Sequence, residues 1–232
     1  MRKQTPLLVS IALLLAAPAA AAEPNTLTPA EKSAGWTLLF DGTTLNGWRS
    51  LKSEKPGSGW RAEGGVLVTS GKNEDLVSVA EFGDFELSFE WKISEGGNSG
   101  VIYRVGLGES ATYRTGPEYQ VLDNQKAEDN KKPNHLAGSL YDLGAAPPKD
   151  FTRPVGEWNA GRIVVRGWHV EHWLNGEKVV DTDLGAPAGK AAIAASKFKD
   201  WPKFASLSRG RIALQDHGNV VSFRSVKVRE LK

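Results

Sequence analysis

The side chains able to do acid, base or sugar-binding chemistry fall in a few short stretches, and alternation along each decides which of them share a surface. In 118–122 (EYQVL), if Tyr119 and Val121 point inward, a two-residue period sends Glu118, Gln120 and Leu122 to the opposite face, so that a carboxyl and an amide line one surface. In 211–218 (RIALQDHG), Ile212 and Leu214 read as core, which turns Ala213, Gln215 and His217 the other way and leaves Asp216 on the Ile212 side unless the strand has ended. His217 would then present an imidazole, a side-chain type suited to proton transfer, to a cleft. In 169–175 (HVEHWLN), Val170, His172 and Leu174 share one face and His169, Glu171, Trp173 and Asn175 the other, which sets a carboxylate beside an indole on which the apolar face of a sugar can stack. Asn98 and Arg104 bracket a strand in 96–104, and the arginine offers a fork of donors for a sugar oxygen or a carboxylate. Tyr141 follows a long loop and is a candidate proton donor. Each has a structural alternative: an exposed strand face for Glu118, a satisfied structural histidine for His217, a core position for Trp173, a solvated or structural arginine for Arg104, and a core tyrosine with a bonded hydroxyl for Tyr141. The charge-alternating run 126–132 reads as a solvated loop.

Other chemistries drop out. The four histidines are not at zinc spacing and there is no EF-hand loop; Glu118, Asp123, Glu171 and His217 could hold a divalent, calcium-like cation only by coming together in the fold. A Gly-x-Ser-x-Gly elbow, a Walker loop and a dinucleotide fingerprint are all missing, which removes a nucleophilic serine and nucleotide cofactors.

The scaffold that must position these groups is legible from composition and period. The chain has 232 residues, 40% of them hydrophobic and 24% charged, which is the composition of a folded globular protein. Having no cysteine, it has no disulfide framework, thiolate metal site, cysteine nucleophile or lipoprotein anchor. Strict alternation over Phe85, Leu87, Phe89, Trp91 and Ile93 marks the clearest strand, and similar runs occupy 36–40, 65–69, 100–105, 118–122, 161–166, 170–174, 178–182, 211–215 and 220–228. Asn175-Gly176 is a two-residue hairpin signal, and Gly167-Trp168 a weaker one. Helix is expected only over 28–34, where Thr28-Pro29-Ala30-Glu31 offers a cap, and over 189–198. Some ten short strands with almost no helix predict an all-β sandwich or barrel, and a jelly-roll sandwich with one concave face is favoured. The spans 124–138, 143–157 and 184–208 show no strand pattern and are long enough to be functional loops.

Arg2-Lys3, the apolar run 7–17 and the small residues ending at Ala20-Ala21-Ala22 read as a secretory signal cut after Ala22, too short for a membrane anchor. Its removal takes away two basic residues and no acid, which cancels the formal charge of +2. With no net positive field and no basic stripe, nucleic acid and anionic membrane surfaces are not expected partners. Residues 23–232 fit a single domain. The oligomeric state is left open.

Taken in order, the stretches GWTLLFDGTTLNGW (35–48), GNSGVIYR (97–104), GPEYQVLDN (116–124), GSLYD (138–142), HVEHWLNG (169–176) and GRIALQDHG (210–218) resemble the 3-keto-disaccharide hydrolase family, from Gly35 to the C-terminus. The resemblance implies a concanavalin-like jelly roll of two curved antiparallel sheets, secreted or periplasmic, acting on glycosides whose C3 hydroxyl is oxidised to a ketone. Such a ketone acidifies the C2 proton, so the C1–O bond can be cut by removing that proton, stabilising the enolate and expelling the C1 oxygen before water adds. Under this reading Glu118, His217 and Tyr141 are the catalytic candidates, and Asn98, Arg104, Gln120, Glu171, Trp173 and Gln215 the substrate contacts. The base falls to His217 or Glu118, the enolate stabiliser to Arg104 or a divalent metal, and the proton donor to Tyr141 or the other member of the first pair. The alternative is a carbohydrate-binding jelly roll without catalysis, which would need Trp173, and Trp60 or Trp201, but no acid or base.

Overall fold

Alternation writes most of the architecture. The computed structural model describes residues 23–69, 71, 74–144 and 147–232; the expected signal segment and its cut after Ala22 lie outside them. In chain order the strands are β1 (Thr37–Leu38), β2 (Trp48–Arg49), β3 (Trp60–Glu63), β4 (Val66–Thr69), β5 (Leu76–Ser78), β6 (Phe85–Ile93), β7 (Asn98–Val105), β8 (Glu118–Leu122), β9 (Asn159–Arg166), β10 (His169–Leu174), β11 (Glu177–Asp183), β12 (Arg211–Leu214) and β13 (Val221–Glu230). They form two antiparallel sheets, one ordered β11-β10-β9-β6-β13-β4-β3 with β1 also paired to β13, the other ordered β2-β5-β12-β7-β8. The chain is therefore an all-β jelly-roll sandwich.

Between the sheets lies one core. The alternating Phe85, Leu87, Phe89, Trp91 and Ile93 of β6 meet Val101 and Tyr103 of β7, Tyr119 and Val121 of β8, and Ile212 and Leu214 of β12. Phe89 and Tyr119 pack edge to face with ring centroids 5.2 Å apart. Burying each such side chain contributes about 1.5–3 kcal/mol relative to leaving it in water. Placing Tyr119, Val121, Ile212 and Leu214 in this core sends their alternate neighbours to the outer face of the five-stranded sheet, which fixes where the chemistry lies.

Local signals act as their chemistry requires. Asn175 and Gly176, both at positive φ, join β10 to β11. Gly64-Gly65, likewise both at positive φ, make an equivalent turn between β3 and β4 that the sequence reading passed over. Thr28 caps a short helix α1 (Pro29–Ser33) with a complete capping box to Glu31. The second helix, α2 (Pro187–Ala195), starts and ends earlier than expected and is followed by a 3-10 turn, Lys197–Asp200. Strands β2, β3 and β5 were not expected; at two to four residues they are too short to show a period. No helix among the described residues is long and apolar enough to cross a membrane.

Candidate active site

Strand β8 supplies the floor of the site. Its neighbour on one side is β7, with Gly100 opposite Gln120 and Ile102 opposite Glu118. On the other side residues 138–141 run along its edge: Gly138 N–H donates to Gln120 O, Gln120 N–H to Ser139 O, and Tyr141 N–H to Glu118 O. Leu140 thus falls into the core beside Tyr119, and Tyr141 joins Glu118 on the outer face. Beyond β7, Gln215 N–H donates to Gly100 O, which brings Gln215 into the same row. Gly100 is the gap in that row. A Cβ there would lie 2.1 Å from Glu118 Oε1, so the carboxyl lies over the place where a side chain would otherwise stand.

A cavity of about 360 Å3 opens above this floor, lined by Asn98, Glu118, Gln120, Tyr141, Gln215 and His217 together with Arg114, Asp129, Lys197 and Trp201 from the loops. A second, more open space of about 650 Å3 continues from it across Asn98, Asp129, Tyr141 and His217 towards Glu128 and Asn219. Glu118 is 8% exposed, and its carboxyl makes no hydrogen bond among the described residues. Burial, reinforced by the charges of Asp75 and Asp129 and opposed by Lys197, pushes it up to about 8. Gln120 Nε2 donates to Asn98 Oδ1 at 3.2 Å, but the buried Oε1 atoms of Gln120 and Gln215 receive no donor. The floor therefore offers one protonated carboxyl and two amide oxygens, an arrangement able to give one hydrogen bond and accept several from a polyhydroxy ligand.

The walls differ in character. Trp201 packs with Phe198 at 5.2 Å and with Tyr113 at 5.6 Å, and the Arg114 guanidinium stands 4.4 Å from its centre. Opposite stands Tyr141; burial first, then Asp129 and the surrounding acids, push its phenol up. Lys197 Nζ lies 4.2 Å from the Tyr141 ring centre. Asp75, just before β5, accepts from Asp216 N–H at 2.9 Å and from the Thr112 hydroxyl. It thereby ties the turn that carries Arg114 to the segment that carries His217, and burial pushes its own carboxyl up.

Of the expected residues, Glu118, His217, Tyr141, Asn98, Gln120 and Gln215 come together in this cavity, with His217 at its exposed rim. Three do not. Arg104 fails because β7 carries a bulge: Ala213 faces Ile102 while Arg211 faces Val105, and Arg104 occupies the extra position at φ 54. The bulge turns its side chain off the Asn98–Gly100 face, to Gly83 O at 3.2 Å, Asp84 Oδ1 at 3.3 Å and the Trp168 ring. Glu171 and Trp173 alternate as expected, but β10 belongs to the eight-stranded sheet, so they lie on that sheet's outer face, across the sandwich from Glu118. There Trp173 Nε1 donates to Glu171 Oε2 and Arg162 covers the indole.

The four residues considered for a cation do not converge. Asp123 is committed to the backbone N–H groups of Gly96, Gln125 and Lys126, and Glu171 is on the other sheet. Among the described residues a ligand-like cluster forms only at His169, Glu171 and Asp181, where the Lys178 ammonium pairs with both acids. The cavity's hard oxygens, Glu118 and the amides of Gln120 and Gln215, are the set that would suit a calcium-like ion. Arg114, Asp129, Lys197 and Asp75 escaped the sequence reading because they come from loops and turns with no period.

The sequence pattern of the 3-keto-alpha-glucoside-1,2-lyase-like domain matches residues 35–229. A 3-keto-disaccharide hydrolase of Bacteroides thetaiotaomicron is 35% identical over 246 aligned positions, which cover 91% of this chain and 83% of that protein. A Parabacteroides distasonis chain provisionally described as a glycosyl hydrolase superposes with a TM-score of 0.85 at 33% identity, over 90% of this chain and all of that one. A second, similarly described chain from the same organism gives 0.66 at 26% identity, over 84% and 99%.

Proposed function

Because the chain belongs to the family of 3-keto-alpha-glucoside-1,2-lyase-like domains, we propose that it cleaves 3-keto-glycosides, 3-keto-disaccharides among them, in the Glu118 cavity. One observation carries this reading: a buried carboxyl, held protonated at neutral pH, sits beside two buried amide oxygens that lack donors. The ketosugar ring occupies the floor, where its hydroxyls supply those donors, and the leaving group extends into the wider space beyond Tyr141.

The cavity lining supports the following roles. His217 takes the C2 proton at the rim. Arg114, rather than Arg104, faces the cavity and stabilises the enolate. Glu118, neutral below about pH 8, gives its proton to the departing C1 oxygen as the C1–O bond breaks. Tyr141, whose phenol resists ionisation, orients the leaving group by hydrogen bonding. Water then adds to the enone: its oxygen bonds to C1, one of its protons returns to Glu118, and His217, which exchanges its proton with water at the exposed rim, returns a solvent proton to C2. Both groups are restored and the net reaction is hydrolysis, by a route distinct from paired-carboxylate displacement. The N-terminal features of residues 1–22 support export, with the reaction in the periplasm or outside the cell.

The test incubates purified protein with a 3-keto-disaccharide and its unoxidised parent, with and without EDTA, following products by mass spectrometry. Cleavage of the keto form alone, with one deuterium gained at C2 beyond the enzyme-free control in D2O, is expected. Cleavage without deuterium gain refutes elimination. Loss of turnover in EDTA reassigns Glu118, Gln120 and Gln215 to a cation, and binding without cleavage leaves a carbohydrate-binding module.

A further inference from the structure

The histidine best enclosed by carboxylates is not one of those expected at the site. His135 sits at the end of the 3-10 turn Pro133–His135, 6% exposed. Its Nδ1 lies 2.8 Å from Asp129 Oδ1 and its Nε2 3.0 Å from Asp142 Oδ1. Both ring nitrogens thus have a carboxylate partner. Lys132 Nζ adds a third contact, 3.3 Å from the same Asp142 oxygen. Asp142 adopts φ 58, a left-handed conformation uncommon outside glycine, as it brings its carboxyl to the ring. The imidazole also stacks on Tyr141, with centroids 4.3 Å apart and planes inclined by 30°.

His135 does not line the Glu118 cavity, yet Asp129 and Tyr141, which do, both rest on it: the first through a hydrogen bond, the second through its ring face. Asp129 in turn bears on the Tyr141 phenol and on Glu118. Resting on the reading that this cavity cleaves 3-keto-glycosides, we propose that His135 is a positioning residue: clamped between Asp129 and Asp142, it fixes the Asp129 carboxylate and the Tyr141 ring at the cavity rim, and so fixes where the leaving group lies. The groups that face the clamp are Asp129, Asp142 and Lys132; those that bear on Glu118 are Lys197, Asp75 and Asp129.

Two variants test it. His135→Phe keeps a ring against Tyr141 and removes both hydrogen bonds; Asp142→Asn leaves the ring in place and weakens one side of the clamp. Each should lower kcat/KM on a 3-keto-disaccharide by about tenfold to a hundredfold, the effect expected when a contact group shifts by about an ångström. His135→Phe should also shift the alkaline limb of the pH profile, because the Asp129 charge that bears on Glu118 loses the ring that holds it, and Asp142→Asn, which leaves the His135–Asp129 contact, should shift it less. A merely structural role would lower the melting temperature and leave that limb in place. Folded variants that keep kcat/KM within twofold and an unmoved limb overturn the proposal. If the parent protein itself cleaves nothing, the functional reading fails instead, and crystal structures of the two variants then decide: Asp129 turned away from Tyr141 supports the clamp, and an unchanged Asp129 and Tyr141 refutes it.

Discussion

Glu118→Gln replaces a buried carboxyl by a neutral amide of nearly the same shape, and so isolates what holding a proton at that site costs the fold. In the folded protein the carboxyl is held up to about 8, against an ordinary 4.5. Below pH 4.5 folded and unfolded chains are both protonated, and the stability of the site is present in full. Between 4.5 and about 8 the unfolded chain gives up its proton while the folded chain keeps it, so stability falls as the pH rises and levels off above 8. At about 1.4 kcal/mol per pH unit, the interval is worth about 5 kcal/mol, an upper value because Lys197 and entering water lessen it. Urea unfolding of both proteins at pH 5, 7 and 9 reads the difference directly. The variant should gain on the parent by about 3 kcal/mol between pH 5 and 7 and by about 4 kcal/mol by pH 9. Stability differences constant to within about 0.5 kcal/mol across that range would show that the carboxyl is not held protonated. Turnover gives the second reading: as a proton donor Glu118 requires kcat/KM to fall as the pH rises through about 8, and the variant should lose about 100-fold to 10,000-fold in kcat. A parent rate that rises through the same range would make Glu118 the base.

Three further outcomes follow. Gly100→Ala places a Cβ 2.1 Å from Glu118 Oε1 at a backbone conformation that alanine tolerates; the carboxyl must swing aside, and kcat/KM should fall at least about tenfold with the fold retained by circular dichroism. His172, pushed down to about 4 by burial and bonded to Gly138 O and the Tyr103 hydroxyl, stays neutral in the fold while the unfolded chain takes a proton below about 6.5. Stability is therefore lost as the pH falls from about 6.5 to about 4, by up to about 3 kcal/mol, and urea titrations should show that His172→Gln has a correspondingly flatter acid limb. Trp173→Ala, on the far sheet, should leave kcat/KM within about twofold, whereas Trp201→Ala at the cavity wall should raise KM severalfold; the reverse order in steady-state assays would move the sugar platform to the other face.

What could be read from the residues is what depends on near neighbours in the chain. The two-residue period of 85–93, 118–122 and 211–215 decides which side chains face the core, and hence that Glu118 and Gln120 share a surface, as do Gln215 and His217. The Thr28 cap and the Asn175-Gly176 turn are equally local, since capping and positive φ depend on a few adjacent residues. Alternation, however, says which face of a strand a residue takes and nothing about which sheet the strand joins; Trp173 kept its face and still lies across the sandwich from Glu118. It also fails at a bulge, where one unpaired residue turned Arg104 off the expected face. Asp129, Arg114 and Lys197 reach the site from aperiodic segments, with His135 behind Asp129, placed by contacts with residues distant in the chain or outside any strand pattern. The sequence by itself thus determined a carboxyl and two amides on strand faces. Their meeting in one cavity, and the proton that Glu118 keeps there, came from tertiary structure, because burial and the fields of Lys197, Asp75 and Asp129 exist only once distant segments exclude water from the same place.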